Sequence, residues 1–165
     1  MPRYVLSVLA GILLAAVLAV SACTKTSPDS EGAGEVSGDQ KAARQLSDSV
    51  AEDLVNRQPE RLYGKAERAF RDTVDQNNFA ALLDRMYATY GTPLEFEFKK
   101  QELGTRAYSN GQSKQMWKSW YAARTAKYDK GTYFLFVEVV RDGPALAFSS
   151  FAIVSFEMGV PADLR

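Results

Sequence analysis

The chain has 165 residues, with 20 basic and 20 acidic side chains, no histidine and one cysteine, and 46 % of its residues are apolar. With no excess of cations to neutralise a phosphate backbone, nucleic acid is not an expected partner, and a single thiol excludes an internal disulfide. The absence of histidine removes the side chain that most often exchanges protons near neutral pH, so catalytic triads and zinc-protease motifs built on it are excluded.

Chain order begins with one cation, Arg3, an apolar run over 4–20, and then Val20-Ser21-Ala22-Cys23. The run is short for a spanning helix and is followed by small residues of the kind a signal peptidase accepts, which predicts a secretory signal over 1–22. The one cysteine directly after the small pair resembles the lipobox of bacterial lipoproteins. That resemblance implies a diacylglyceryl thioether on Cys23, removal of 1–22 and a chain held on a membrane through covalent lipid, since two or three acyl chains anchor far more firmly than one. It also implies sorting: Thr24 stands where an aspartate would retain the protein at the inner membrane. The expectation is the periplasmic face of the outer membrane, or the outer face of the cell membrane in a single-membrane source.

Removing 1–22 leaves 19 basic against 20 acidic side chains. The remaining ~140 residues suit one core-bearing domain. Residues 23–40 are rich in Ser, Gly, Asp and Glu and read as a flexible lipidated tether of roughly 20–25 Å end to end. The Gly-Ala-Gly at 32–34 lacks the spacing of a phosphate-binding fingerprint. A single folded domain is expected over 41–165.

Within it, Leu46, Val50 and Leu54 recur at helical spacing beside Ala43 and Ala51, predicting an amphipathic helix that ends near Asn56. Pro59 suits the first turn of a second helix with Leu62, Ala66, Phe70 and Val74 as its apolar stripe. Arg61, Lys65, Arg68 and Arg71 form its solvated side. Asp72, Asp75, Asn77 and Asn78 resemble a calcium loop only superficially, and a helix-to-helix junction explains them better. A third helix runs from about Asn78 to Tyr90, stopped by Gly91.

After Pro93 the period becomes two: Leu94, Phe96 and Phe98 alternate with Glu95, Glu97 and Lys99, as in a strand with one buried face. Ser109-Asn110-Gly111-Gln112 marks a tight turn. The segment 116–128 fits both helix and strand, and its aromatics with Thr125 favour strand. Further strands are expected over 133–140 and 145–156. The order predicts an α+β fold, N-terminal helices on one face of a four-stranded antiparallel curved sheet.

The Leu-Tyr and Ala-Phe-Arg of the helical pair, Tyr-Gly-Thr-Pro before the first strand, and Lys-Gly-Thr-Tyr-Phe leading a long strand resemble small exported members of the nuclear-transport-factor-like, or cystatin-like, α+β roll superfamily. The resemblance spans roughly 41–160 and implies fold alone, because the superfamily hosts isomerases, hydrolases, assembly modules and lipoproteins.

Turn chemistry also predicts the sheet faces. Asp129-Lys130-Gly131 as a three-residue loop sets Trp120 opposite Val140 and Arg124 opposite Phe136, with Glu138 diagonal to Arg124. Asp142-Gly143 as a two-residue turn sets Glu138 opposite Ala147 and Phe134 opposite Phe151. One face then carries Trp120, Arg124, Tyr128, Phe134, Phe136, Glu138, Ser149, Phe151 and Ile153. The other carries Tyr121, Thr125, Tyr133, Leu135, Val137, Val139, Phe148 and Val154, and is assigned to the core.

Three functional classes follow. The first is a non-enzymatic envelope module assembling with itself, or with another envelope protein, through Trp120, Arg124, Phe134, Phe136, Glu138, Phe151 and Ile153, with the tether or the segment 161–165 folding over that face as the alternative. The second is a binder of a small apolar ligand in the cone between helices and sheet, lined by Tyr121, Thr125 and Tyr133. The third is an isomerase-like or hydrolase-like enzyme. No catalytic residue, metal site or cofactor is assigned.

Overall fold

The structure, a computed structural model, describes residues 33–155 and 160–164. The expected signal, the expected lipobox with Cys23 and the first part of the expected tether lie outside the described residues. Four helices precede four strands: α1 Ala33–Val55, α2 Pro59–Lys65, α3 Arg68–Arg71, α4 Gln76–Tyr90, β1 Pro93–Ala107, β2 Ser113–Thr125, β3 Tyr133–Asp142 and β4 Ala145–Ser155. The strands form one antiparallel sheet in the order β1-β2-β3-β4, and the helices cover one of its faces. The α+β arrangement is the expected one.

Helix α1 starts at Ala33, inside the stretch read as tether. Its packed half, with Ala43, Val50, Ala51 and Leu54 buried, supplies the nucleus from which further turns propagate cheaply. An ion pair between Asp39 and Arg141 ties the earlier turns to the end of β3. The stripe from Leu62 to Val74 belongs to two short helices instead of one. Between them Ala66 is extended and pairs with Phe148, while Glu67 N–H donates to the Phe148 carbonyl at 2.7 Å. This junction covers part of the β4 edge, which would otherwise present free backbone groups. Asp75 caps α4 by accepting from Asn78 N–H at 2.9 Å, and Gly91, at φ +83°, ends the helix where a Cβ would meet the Lys127 backbone. The buried Tyr87 hydroxyl of α4 donates to the Leu54 carbonyl of α1 at 3.0 Å, and burial pushes its pKa up to about 12.

The expected alternation in β1 holds for Phe96 and Phe98, whose rings pack against Tyr121, but Leu94 is 47 % exposed. A bulge between Pro93 and Glu95 takes Leu94 out of register, and a second between Phe98 and Lys100 carries Lys100 opposite Trp120. The segment 116–128 is strand as far as Thr125.

Two register expectations are corrected. Trp120 lies opposite Phe136, four residues from the expected partner Val140, so Arg124 and Glu138 do not pair. Gly131 takes the left-handed conformation, at φ +89°, but the connecting loop spans 126–132. Thr125 Oγ1 accepts from the backbone N–H of Lys127 and Tyr128 at 3.2 and 3.1 Å, folding the loop back, and the Tyr128 ring packs tilted against Tyr133. An even displacement leaves the paired side chains of β2 and β3 on their assigned faces, whereas Tyr128, expected on the outer face, lies in the loop and packs against Tyr133 on the helix side. In the last hairpin the turn is Gly143-Pro144, with Asp142 opposite Ala145, because Pro144 has no N–H to give the ladder. A bulge at Ser149 then makes the displacement odd: Phe148 stays in the core as expected, whereas Phe151 and Ile153 turn to the helices and Val154 to the outer face.

Candidate functional site

The outer sheet face divides into a polar and an apolar half. In the polar half, Glu138 accepts from Arg106 at 2.6 Å and Ser150 at 2.6 Å, and pairs with Lys118 at 2.8 Å, joining all four strands. Burial pushes the Glu138 carboxyl up, but the hydrogen bonds from Lys118 and Ser150, with the Lys118 and Arg106 charges, outweigh it and hold the group below its ordinary value. A carboxyl lowered on folding stabilises the native state above its unfolded pKa of about 4.3 and loses that contribution as pH falls through the folded value. Glu138→Gln is expected to cost about 1–2 kcal/mol at pH 7. Urea unfolding repeated at about pH 3, below the ordinary carboxylate range, should show the gap to wild type narrowing.

In the apolar half, Trp120, Ala122 and Phe134 are buried with Val160, and Phe136, Val154 and Leu164 pack at the margin. The expected patch of Trp120, Phe134, Phe136, Phe151 and Ile153 is therefore not an open surface. Phe151 and Ile153 are on the other side of the sheet, and Trp120 and Phe134, at 5 % and 3 % exposure, lie in one cluster with a residue of the segment 160–164. Asp163 in that segment receives Lys100 at 2.7 and 2.8 Å, and Glu102 accepts from Trp120 Nε1 at 3.0 Å. Both Lys100 and Glu102 reach this face because of the second β1 bulge. Arg124 pairs with Glu95 at 2.9 Å instead of with Glu138.

Tyr121, Thr125 and Tyr133 are on the helix side, and each makes its own contacts there. Tyr121 borders a cleft of about 290 Å³ between α1 and β1, with Asp48, Glu52 and Phe96 among its other walls. Its hydroxyl donates to Asp48 Oδ1 at 2.8 Å, and burial, then the Asp48 carboxylate, push its pKa up, so it remains a donor. Asp48 is 46 % exposed and also held by Arg44 at 2.8 Å, so it is not a sequestered base. Thr125 Oγ1 donates to the Tyr90 carbonyl at 2.6 Å, and Tyr133 packs between Tyr90 and Tyr128. Those two fasten the end of α4 to the sheet.

A second polar cluster has no signature in the sequence, because its members lie 41 and 47 positions apart. Glu67, 2 % exposed, accepts from the Tyr108 hydroxyl at 2.8 and 3.0 Å and from Lys114 Nζ at 2.5 Å, while Lys114 also pairs with Asp142 at 3.3 Å. Burial and the facing carboxylate push the Tyr108 phenol up, so it stays protonated and donating. Each polar group here has a partner within the protein, which is the condition of a structural clasp.

No family model matches the chain, and neither curated proteins nor solved structures yield a match.

Proposed function

We propose that this chain is a lipid-anchored envelope protein whose domain works by association and not by catalysis. The observation that carries the reading is Val20-Ser21-Ala22-Cys23 at the end of an apolar run, with the only cysteine of the chain at the position the lipobox requires. A lone thiol in an exported protein has no partner within the chain, and acylation accounts for it. Association is supported by an aromatic outer sheet face whose described cover includes the short segment 160–164. The reading includes a domain of the nuclear-transport-factor-like class. It places the protein on the periplasmic face of the outer membrane, or on the outer face of the cell membrane in a single-membrane cell.

Cys23→Ser is the test. Cells fed a labelled fatty acid should incorporate label into the wild-type chain and not into the variant, and the variant should leave the membrane fraction or accumulate with 1–22 uncleaved. A variant that carries label and sediments with membrane as the wild type does would overturn the anchor.

A further inference from the structure

The two edges of the sheet are unequal. Ala66 pairs with Phe148 and the Glu67 N–H donates to its carbonyl, which covers part of the β4 edge, whereas among the described residues no strand pairs with the second edge of β1. The first half of β1 carries both bulges and the charges of Glu95, Glu97 and Lys99, features that blunt an edge. From Lys100 to Ala107 no bulge interrupts it: the strand runs opposite Trp120 to Ser113 without a shift, and Glu102, Leu103, Thr105 and Ala107 are exposed. Leu103 stands opposite the buried Trp117 on the helix side and yet is 54 % exposed, more than Leu82, Leu94 or Tyr128. Alternate backbone N–H and C=O groups along this stretch point away from β2, where a further strand would pair with them.

We infer that residues 101–107 of β1 are an interface for a second copy of the chain, the two strands pairing antiparallel about a two-fold axis at Gly104 and joining their sheets into one. Charge selects both the occupant and the register. With Gly104 opposite itself, Glu102 of each copy faces Arg106 of the other on the outer side, so one strand supplies both halves of two complementary pairs. On the helix side each Leu103 lies opposite Thr105 and diagonal to the second Leu103, which covers both. Pairing centred on Leu103 would set Lys100 against Arg106, and pairing centred on Glu102 would set that carboxylate against itself. Bonds within the chain orient these groups without exhausting them: Glu138 holds Nη1 of Arg106, leaving its other nitrogens, and Lys100 and Trp120 Nε1 each take one position on a Glu102 oxygen. This contact deepens the association reading above, on which its role in the cell rests, while the pairing itself does not depend on Cys23.

The test uses the full chain in detergent with Gly104→Cys, whose added Cβ meets only the flexible end of Met116, at 3.2 Å. On the axis the two substituted positions lie about 4.5–5.5 Å apart between Cα atoms, within disulfide reach, whereas the two copies of position 103, or of 105, lie about 7–8 Å apart on the diagonal. Oxidation with diamide should therefore join Gly104→Cys chains about tenfold faster, or more, than Leu103→Cys or Thr105→Cys chains, with position 104 found in both linked peptides by mass spectrometry. Equal rates at the three positions, a faster link at 103 or 105, or a link from 104 only to a foreign protein would overturn the pairing. Adding Cys23→Ser should leave the rate at 104 unchanged in detergent, so the anchor can fail without the contact failing. Sedimentation at matched detergent density gives a second arm. The wild-type chain should run as a dimer, and Leu103→Lys, which alters a side chain already largely in solvent, should keep the wild-type unfolding midpoint and associate about tenfold more weakly or less. A monomeric wild type, or association undiminished by Leu103→Lys, would likewise overturn it.

Discussion

Phe148→Ala is expected to lower the unfolding free energy by about 3–5 kcal/mol, the range for deleting a fully buried aromatic side chain. Phe148 is 0 % exposed and packs on Phe70 and Phe151, and its carbonyl receives the Glu67 N–H that seats the α2–α3 junction on the edge of β4. The cavity would lie between the sheet and α3, where the backbone is pinned and collapse is restricted. Phe136→Ala, at the half-covered margin of the outer face, should cost only about 1–2 kcal/mol by comparison, because it removes less buried area. Urea unfolding of both variants checks the contrast. Equal costs would contradict the face assignment.

Glu67→Ala should cost about 3–5 kcal/mol, since it removes one partner of a buried, hydrogen-bonded charge pair and leaves the other group without its counter-charge. Three elements lose their shared anchor in that variant: the α2–α3 junction, the tip of the β1–β2 hairpin through Tyr108 and Lys114, and the β3–β4 turn through Asp142. Lys114 retains Asp142 and is 25 % exposed, which places the expected value toward the lower end. Tyr108→Phe deletes one neutral donor and should cost about 1–2 kcal/mol. In the double variant Tyr108→Phe/Glu67→Ala the two effects should fall short of their sum, because the hydroxyl and the carboxylate answer each other. Strict additivity in denaturant unfolding would show that the clasp is not a unit.

Periodicity in the sequence determined the element types. Leu46, Val50 and Leu54 imposed a helix on any backbone that buries them together, and Pro59 and Gly91 punctuated what followed. The alternation in β1, the Asn110-Gly111 turn and the β-branched residues of 133–140 determined antiparallel strands in succession. Face assignment in β2 and β3 was legible too, because a four-residue error in register preserves parity, and Tyr121, Leu135, Val137 and Val139 reached the core as periodicity required.

Tertiary structure decided whatever depended on a single inserted residue or on a partner remote in sequence. The bulge at Ser149 moved Phe151 and Ile153 from the expected outer patch to the core, and the bulges in β1 exposed Leu94 and turned Lys100 toward Asp163. A bulge changes local pairing without changing composition or overall period, so the pattern of side chains does not announce it. The break between α2 and α3 is of the same kind: the helical stripe is real, but the edge of β4 competes for the backbone of Ala66 and Glu67 and wins by pairing with it. The candidate sites followed these decisions. Tyr121 was legible as an inward tyrosine, while its union with Asp48, the Glu67 clasp and the covering of Trp120 by 160–164 arose only when the folded chain brought distant segments together.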